Sequence, residues 1–124
     1  MAEKTKMKYD LEERTAKFGE NIIALCKKIP PSNIVNPIVN QLIRAGTSVG
    51  ANYMEANGAS SKRDFTNKIF ICKKECHESK YWLRMLASCV AESVLVDSRI
   101  IWKEAQELTL IFQKIASSSR KSAV

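Results

Sequence analysis

No glycine or proline occurs after Gly58; all four glycines and all three prolines of this 124-residue chain lie before Ala59. These residues are the strongest local breakers of regular structure, so the stretch from Ala59 to Val124 is free to run in long helices. Its β-branched residues are scattered and do not alternate, which gives strands little support. The chain is long enough for one domain and too short for two comfortable ones. With 45% hydrophobic residues it can build a real core.

Apolar spacing places four helices. The first is expected from Tyr9 or Asp10 to Lys28, with Leu11, Thr15, Phe18, Ile22, Leu25, Cys26 and Ile29 inward. Asp10, Glu12 and Glu13 sit in its first turn and Lys27 and Lys28 in its last, as the helix dipole favours. Pro30 and Pro31 stop it. Ser32 or Asn33 is a candidate cap for the second helix, which ends at Asn57-Gly58. Ser60 or Ser61 caps a third helix running to about Glu92. The segment VLVDS (94–98) reads as a connection, and a fourth helix runs from Asp97 or Ser98 to about Ala116. Residues 1–8 and 117–124 read as disordered tails. Four helices with short connections predict an all-α, antiparallel up-down four-helix bundle as a single domain.

The second helix is unusual. Residues 33–57 carry two charges, Arg44 and Glu55, in a chain that is 27% charged. Stepped at about 100° per residue, Ile38, Leu42, Ala45, Gly46, Val49, Tyr53 and Ala56 share one broad face. Gln41, Arg44, Ser48, Asn52 and Glu55 share a narrow polar stripe. A solvated face would carry more Lys and Glu, so this helix is expected to be contacted on two sides. The stripe reads as a structural polar network, inside the bundle or at a subunit interface. Gly46 and Gly50 suggest close approach of a neighbouring helix.

Net charge is +7, and the excess is local: residues 61–90 hold seven basic and three acidic side chains, residues 31–60 one of each. On the third helix Lys62, Arg63, Lys73, Lys74, Lys80 and Arg84 fall within about one third of the circumference, with Phe70, His77 and Tyr81 on the same arc. Phe65, Ile69, Cys72, Cys76, Leu83, Ala87 and Val90 lie opposite, as core. A basic strip with interleaved aromatics can hold phosphates and stack bases; the alternative is a solvated face. Trp82, Met85 and Ile71 form an apolar shoulder beside Asp64, Lys68 and Glu75, read as a generous core or an inter-subunit surface.

Other chemistry finds little footing. His77 is the single histidine and lies off the Cys72–Cys76 face, so four convergent zinc ligands cannot be assembled there. No Gly-rich phosphate loop or Gly-x-Ser-x-Gly occurs. A Glu55–Glu78 carboxylate pair is conceivable, but pairing with Arg44 competes. No enzyme activity, metal or cofactor is expected. The N-terminus lacks a signal-like apolar run and no stretch is long enough for a membrane span. A cytoplasmic protein with reduced thiols is therefore expected.

Gln41-Leu42-x-Arg44-Ala45-x-x-Ser48-Val49-x-x-Asn52-x-x-Glu55-Ala56-x-Gly58 resembles the second-helix signature of four-helix-bundle proteins encoded in intervening sequences of bacterial 23S rRNA genes, often labelled S23 ribosomal proteins. Phe65, Glu78 and Tyr81-Trp82-Leu83 also fit, and the resemblance covers roughly residues 8–115. It implies a homopentameric ring. It also implies kinship with the accessory variability determinant of diversity-generating retroelements, a basic barrel-like pentamer that binds nucleic acid and a reverse transcriptase. RNA or DNA, or a protein such as a reverse transcriptase, are the implied partners beyond the chain itself. The departure is in the third helix, where Cys72, Lys73, Cys76 and His77 stand in place of the small residues common in the family. The functional expectation is a non-catalytic oligomer that binds structured RNA or DNA through its basic surface, or else a protein–protein scaffold.

Overall fold

The computed structural model describes residues 2–122, with the backbone alone for 2–9 and 122. The described residues form four α-helices and no strand: α1 Ala2–Lys27, α2 Val35–Asn57, α3 Lys62–Ala87 and α4 Glu92–Ser122.

Of the expected caps, Ser61 starts α3, while α2 begins after Ile34, whose side chain makes no cap bond, and Ser32 supports its first turn from outside. Ser32 Oγ accepts the Val35 N–H at 3.0 Å, while Asn36 Oδ1 accepts the Ser32 N–H at 3.2 Å, a reciprocal arrangement like a capping box. Ser61 Oγ accepts the Asp64 N–H at 3.0 Å and starts α3. At the end of α2 the Gly58 N–H bonds the Met54 and Glu55 carbonyls, with φ at an ordinary −97°.

Four boundaries differ from expectation. α3 ends at Ala87 rather than near Glu92, and the connection is residues 88–91, not 94–98. There the Ser88 and Cys89 N–H groups bond the Met85 and Leu86 carbonyls, and Ser88 Oγ donates to Met85 O at 2.6 Å. Such local bonds compete with helix continuation. Val94 and Ser98 are instead buried within α4, continuing the stripe of Ile101, Ala105, Leu108, Phe112 and Ala116; burial outweighs their modest helix propensity. α4 also runs past Ala116, because its last turns are held: Ser119 Oγ lies 2.5 Å from Thr66 Oγ1 and Arg120 sits over the Phe70 ring. α1 begins at Ala2 rather than Tyr9, with no breaker between them. Met1 and residues 123–124, the ends of the two expected tails, lie outside the described residues.

All four helices contribute to one core. Phe18, Ile22 and Leu25 of α1, Leu42 and Val49 of α2, Ile69, Leu83 and Leu86 of α3, and Leu108 and Phe112 of α4 are fully enclosed. The α1 and α2 faces match expectation, except that Leu11 and Ile38 pack at the margin. On α3, Ala87 is exposed and Phe65 half-buried, while Thr66, Glu75, Ser79 and Leu86 are inside; Val90, expected in the core of this helix, is half-buried in the connection after it. Buried hydroxyls bond carbonyls one turn back: Thr15 to Leu11 and Thr109 to Ala105 at 2.7 Å, Ser79 to Glu75 at 2.8 Å. This lets small polar residues sit inside without an unmet donor.

α2 against α3 and α3 against α4 are the broad seams, and α1 against α4 is the thinnest. Ion pairs close that thin seam. Arg14 grips Glu104 through two bonds of 2.7 Å and Glu107 at 2.9 Å; farther along, Lys28 Nζ reaches Asp97 at 2.8 Å. No helix of the described residues is long and apolar enough to cross a membrane.

Candidate nucleic-acid interface

The outer face of α3 carries one stripe of alternating character: Arg63, Phe70, Lys74, His77, Tyr81 and Arg84, at helical steps of three, four or seven. Over its length of about 32 Å cations and rings take turns. Arg63, Lys74, His77, Tyr81 and Arg84 are exposed, as is Lys62 at the start of the helix. The six basic residues expected to act together are not equivalent. Lys73 and Lys80 are half-buried. Lys80 Nζ donates to Gln106 Oε1 at 2.5 Å and lies 5.2 Å from the centroid of Trp102, so it ties α3 to α4 rather than facing outward. Desolvation, then Lys80 and Lys73, lower the His77 pKa below the usual imidazole value.

α4 adds Lys114, within the expected helix, and Arg120, from the stretch expected to be a disordered tail. Arg120 lies 4.9 Å from the centroid of Phe70, and Lys114 and Lys62 line one shallow depression with Phe65, Ile115, Ser118 and Ser119. After Glu107 the chain contains no acidic residue, so this end of the molecule is strongly basic. The available signal was that acid-free run, which is as compatible with a loose tail as with a helix.

Two residues of the α2 polar stripe, Arg44 and Glu55, make bonds across to α3. Arg44 donates to Gln41 Oε1 at 3.2 Å and to Glu75 Oε2 at 3.0 Å, and also pairs with Glu78. Glu75 is only 8% exposed at its side chain, Arg44 47%. Ser48 Oγ donates to Arg44 O and Asn52 Nδ2 to Ser48 O. Glu55 accepts from Lys68 at 2.8 Å. Arg44 and Glu55 therefore tie α2 to α3, while the bonds of Gln41, Ser48 and Asn52 stay within α2. The shoulder of Ile71, Trp82 and Met85 is half-buried beside that seam, and its edge charges Glu75 and Lys68 are used inside the chain.

Little else is arranged for chemistry. Glu55 and Glu78 each face a cation of their own and not each other. Among the described residues no three His, Cys, Asp or Glu side chains converge as metal ligands. Cys72 and Cys76 are core residues. Burial pushes the Cys26 thiol up to about 11 and Cys72 up to about 12, and raises Cys76 as well. A depression of about 690 Å³ at one end is lined by Leu11, Tyr53, Phe65, Ile111 and Ile115, with Asn57, Ser61 and Lys62 at its polar edge; it contains no acid–base pair.

These features define a class: an all-helical protein with a polar bridge between its second and third helices and a basic outer face. The profile of the 23S rRNA-intervening sequence protein family matches residues 7–92, and the chain belongs to that family. It is also similar to a crystal structure of a protein of unknown function from the S23 ribosomal protein family of Bacteroides thetaiotaomicron VPI-5482. The two share 28% identity with a TM-score of 0.71, over 86% of this chain and 97% of that one. No curated protein matches the chain.

Proposed function

We propose that this protein is a non-catalytic RNA- or DNA-binding subunit that works as a homo-oligomeric ring. The observation that carries this reading is the outer face of α3. Arg63, Lys74 and Arg84 point outward with no side-chain partner among the described residues, and Lys62, Lys114 and Arg120 extend the field onto the neighbouring end of α4. Such a face attracts phosphates without reading sequence. The ring is proposed from the family resemblance and from apolar side chains left outside: Ile100 and Leu110 on α4 are 64% and 60% exposed, and Ile23 on α1 is also exposed. Cross-helix pairs run in opposite order along neighbouring helices, as in Arg44–Glu75 followed by Glu55–Lys68. They support an up-down antiparallel bundle. A cytoplasmic setting suits the four free cysteines.

Binding of a structured RNA at low salt tests the reading. With about three to four phosphate contacts per protomer, log K should fall against log salt with a slope near −3, and each charge removed should flatten it by about 1. Charge reversal at Arg63, Lys74 and Arg84 should abolish binding; unchanged affinity would refute the assignment. The second reading is a protein scaffold, favoured by the same exposed apolar residues. Partners recovered from the native host that survive nuclease treatment would favour it.

A further inference from the structure

Three aromatic rings lie along the outer surface of α3 and the adjoining side of α4, and they are not alike. Phe70 has the Arg120 guanidinium 4.9 Å from its centroid, and Trp102 has the Lys80 ammonium at 5.2 Å. Their cation–π partners come from the protein itself. Tyr81 has no cation over it among the described residues. It is 53% exposed, and its ring meets only Trp82, centroids 5.1 Å apart and planes at 79°. An edge-to-face partner of this kind fixes a ring's orientation without stacking on it. Flanking Tyr81 on the same stripe are Lys74 and His77 toward the N-terminus and Arg84 toward the C-terminus. A ligand suited to this ledge brings a flat π face and negative charge on either side.

We infer that Tyr81 is a stacking platform for an unpaired nucleobase, so that the basic face prefers single-stranded segments or loops to duplex. This rests on the nucleic-acid reading above and names its substrate class. The physical reason is access. In an A-form duplex each base face is covered by its neighbours, and the deep, narrow major groove excludes side chains. A ring standing on a convex helix ridge therefore reaches a base face only when that base is splayed out. Phosphates on either side of the stacked base then fall toward Lys74 and Arg84, which lie about 10 Å and 5 Å along the helix axis from Tyr81. Base–aromatic stacking tolerates any base, so the preference is for strandedness rather than sequence.

The test compares labelled oligoadenylate with a duplex RNA of the same length by fluorescence anisotropy at low salt. Wild-type, Tyr81→Ala, Tyr81→Phe and Lys74→Glu proteins are measured in parallel. Wild type should bind the single strand more tightly and show quenching of tryptophan emission. Tyr81→Ala should weaken single-strand binding about 5- to 100-fold, leave duplex binding within about twofold and keep the wild-type salt slope. Tyr81→Phe should bind as wild type does, and Lys74→Glu should flatten the salt slope for both ligands. Single-strand affinity that ignores Tyr81→Ala, with Lys74→Glu still weakening binding, overturns this inference alone. Loss of neither ligand in any variant, or no binding at all, overturns the basic-surface reading together with it. Tyr81 is half exposed, so thermal unfolding of Tyr81→Ala should match wild type and confirm that the variant is folded.

Discussion

Gly46 and Gly50 look equivalent in the sequence, four residues apart on one side of α2, yet they meet different surroundings. A Cβ at position 46 would stand 2.3 Å from Ile22 Cδ1, while at position 50 it would rest 3.4 Å from the Thr15 backbone, an ordinary contact. Ile22 is fully enclosed, so its side chain can yield only by an unfavourable rotamer in a dense core. Gly46→Ala should therefore destabilise the protein by about 1–3 kcal/mol, and Gly46→Ala with Ile22→Val, which removes Cδ1, should recover part of that. Gly50→Ala should be neutral or stabilising by up to about 1 kcal/mol, because alanine favours helix. Urea unfolding of the three variants separates these outcomes. The cysteines divide in the same way. Cys89 is exposed and Cys26, Cys72 and Cys76 are buried, so a thiol reagent at pH 8 should modify Cys89 quickly and the others only after denaturation. Because burial raises Cys26 to about 11 and Cys72 to about 12, the folded state keeps protons that the unfolded chain releases from about pH 9 upward. Their contribution to stability is full below pH 9 and lost as pH climbs toward 11–12. The urea midpoint should fall more steeply over that window for wild type than for Cys72→Ala.

At the scale of elements, the Arg44 bridge between α2 and α3 is where charge is placed under cover. Replacing Arg44 by Leu leaves Glu75 buried without its cation. Since Arg44 is itself half exposed, the cost should be about 2–3 kcal/mol, below that for a fully enclosed pair. Adding Glu75→Gln and Glu78→Gln should restore much of it, and a double-mutant cycle by urea unfolding reads the coupling directly. Which parts of this seam could be read in advance follows from its physics. The spacing of Gln41, Arg44, Ser48, Asn52 and Glu55 put them on one stripe of α2, because helical geometry is fixed. What that stripe faced depended on the rotation of α3 about its own axis. The wide apolar arc with Ile71 and Trp82 hid that rotation, so Glu75 passed as an edge residue. The connection at 88–91 was missed for a related reason. Val94, Leu95 and Val96 look like poor helix, but Val94 and Ser98 complete a buried stripe that only the packed core reveals. Val96→Pro would remove a bond inside α4 and should cost about 3 kcal/mol; a harmless substitution would restore 94–98 as a connection.

At the scale of the whole molecule, surface chemistry is divided between two sides. Cations and Tyr81 occupy the outer face of α3, whereas Ile100 stands beside the thin seam held by Arg14 with Glu104 and Glu107, Leu110 is exposed on α4 and Ile23 is exposed where α1 meets α2. That division suits a ring in which α1 and α4 meet the next copy and α3 faces the ligand. In the proposed complex each protomer would bring only a few phosphate contacts, too few for tight binding at physiological salt. Several such faces held together act at high effective concentration and gain affinity without new contacts, and they sum their fields. The double change Ile100→Glu with Leu110→Glu touches exposed positions and should leave the helical unfolding transition of the protomer in place. Light scattering should show the wild type at about five times the 14.0 kDa chain mass and the variant at the mass of one chain. RNA affinity should then drop by 10-fold or more, with the salt slope of the assembly flattening toward that of one face. A variant that becomes monomeric yet binds RNA as tightly as wild type would separate assembly from binding, and would leave the α3 face of a single chain sufficient for recognition.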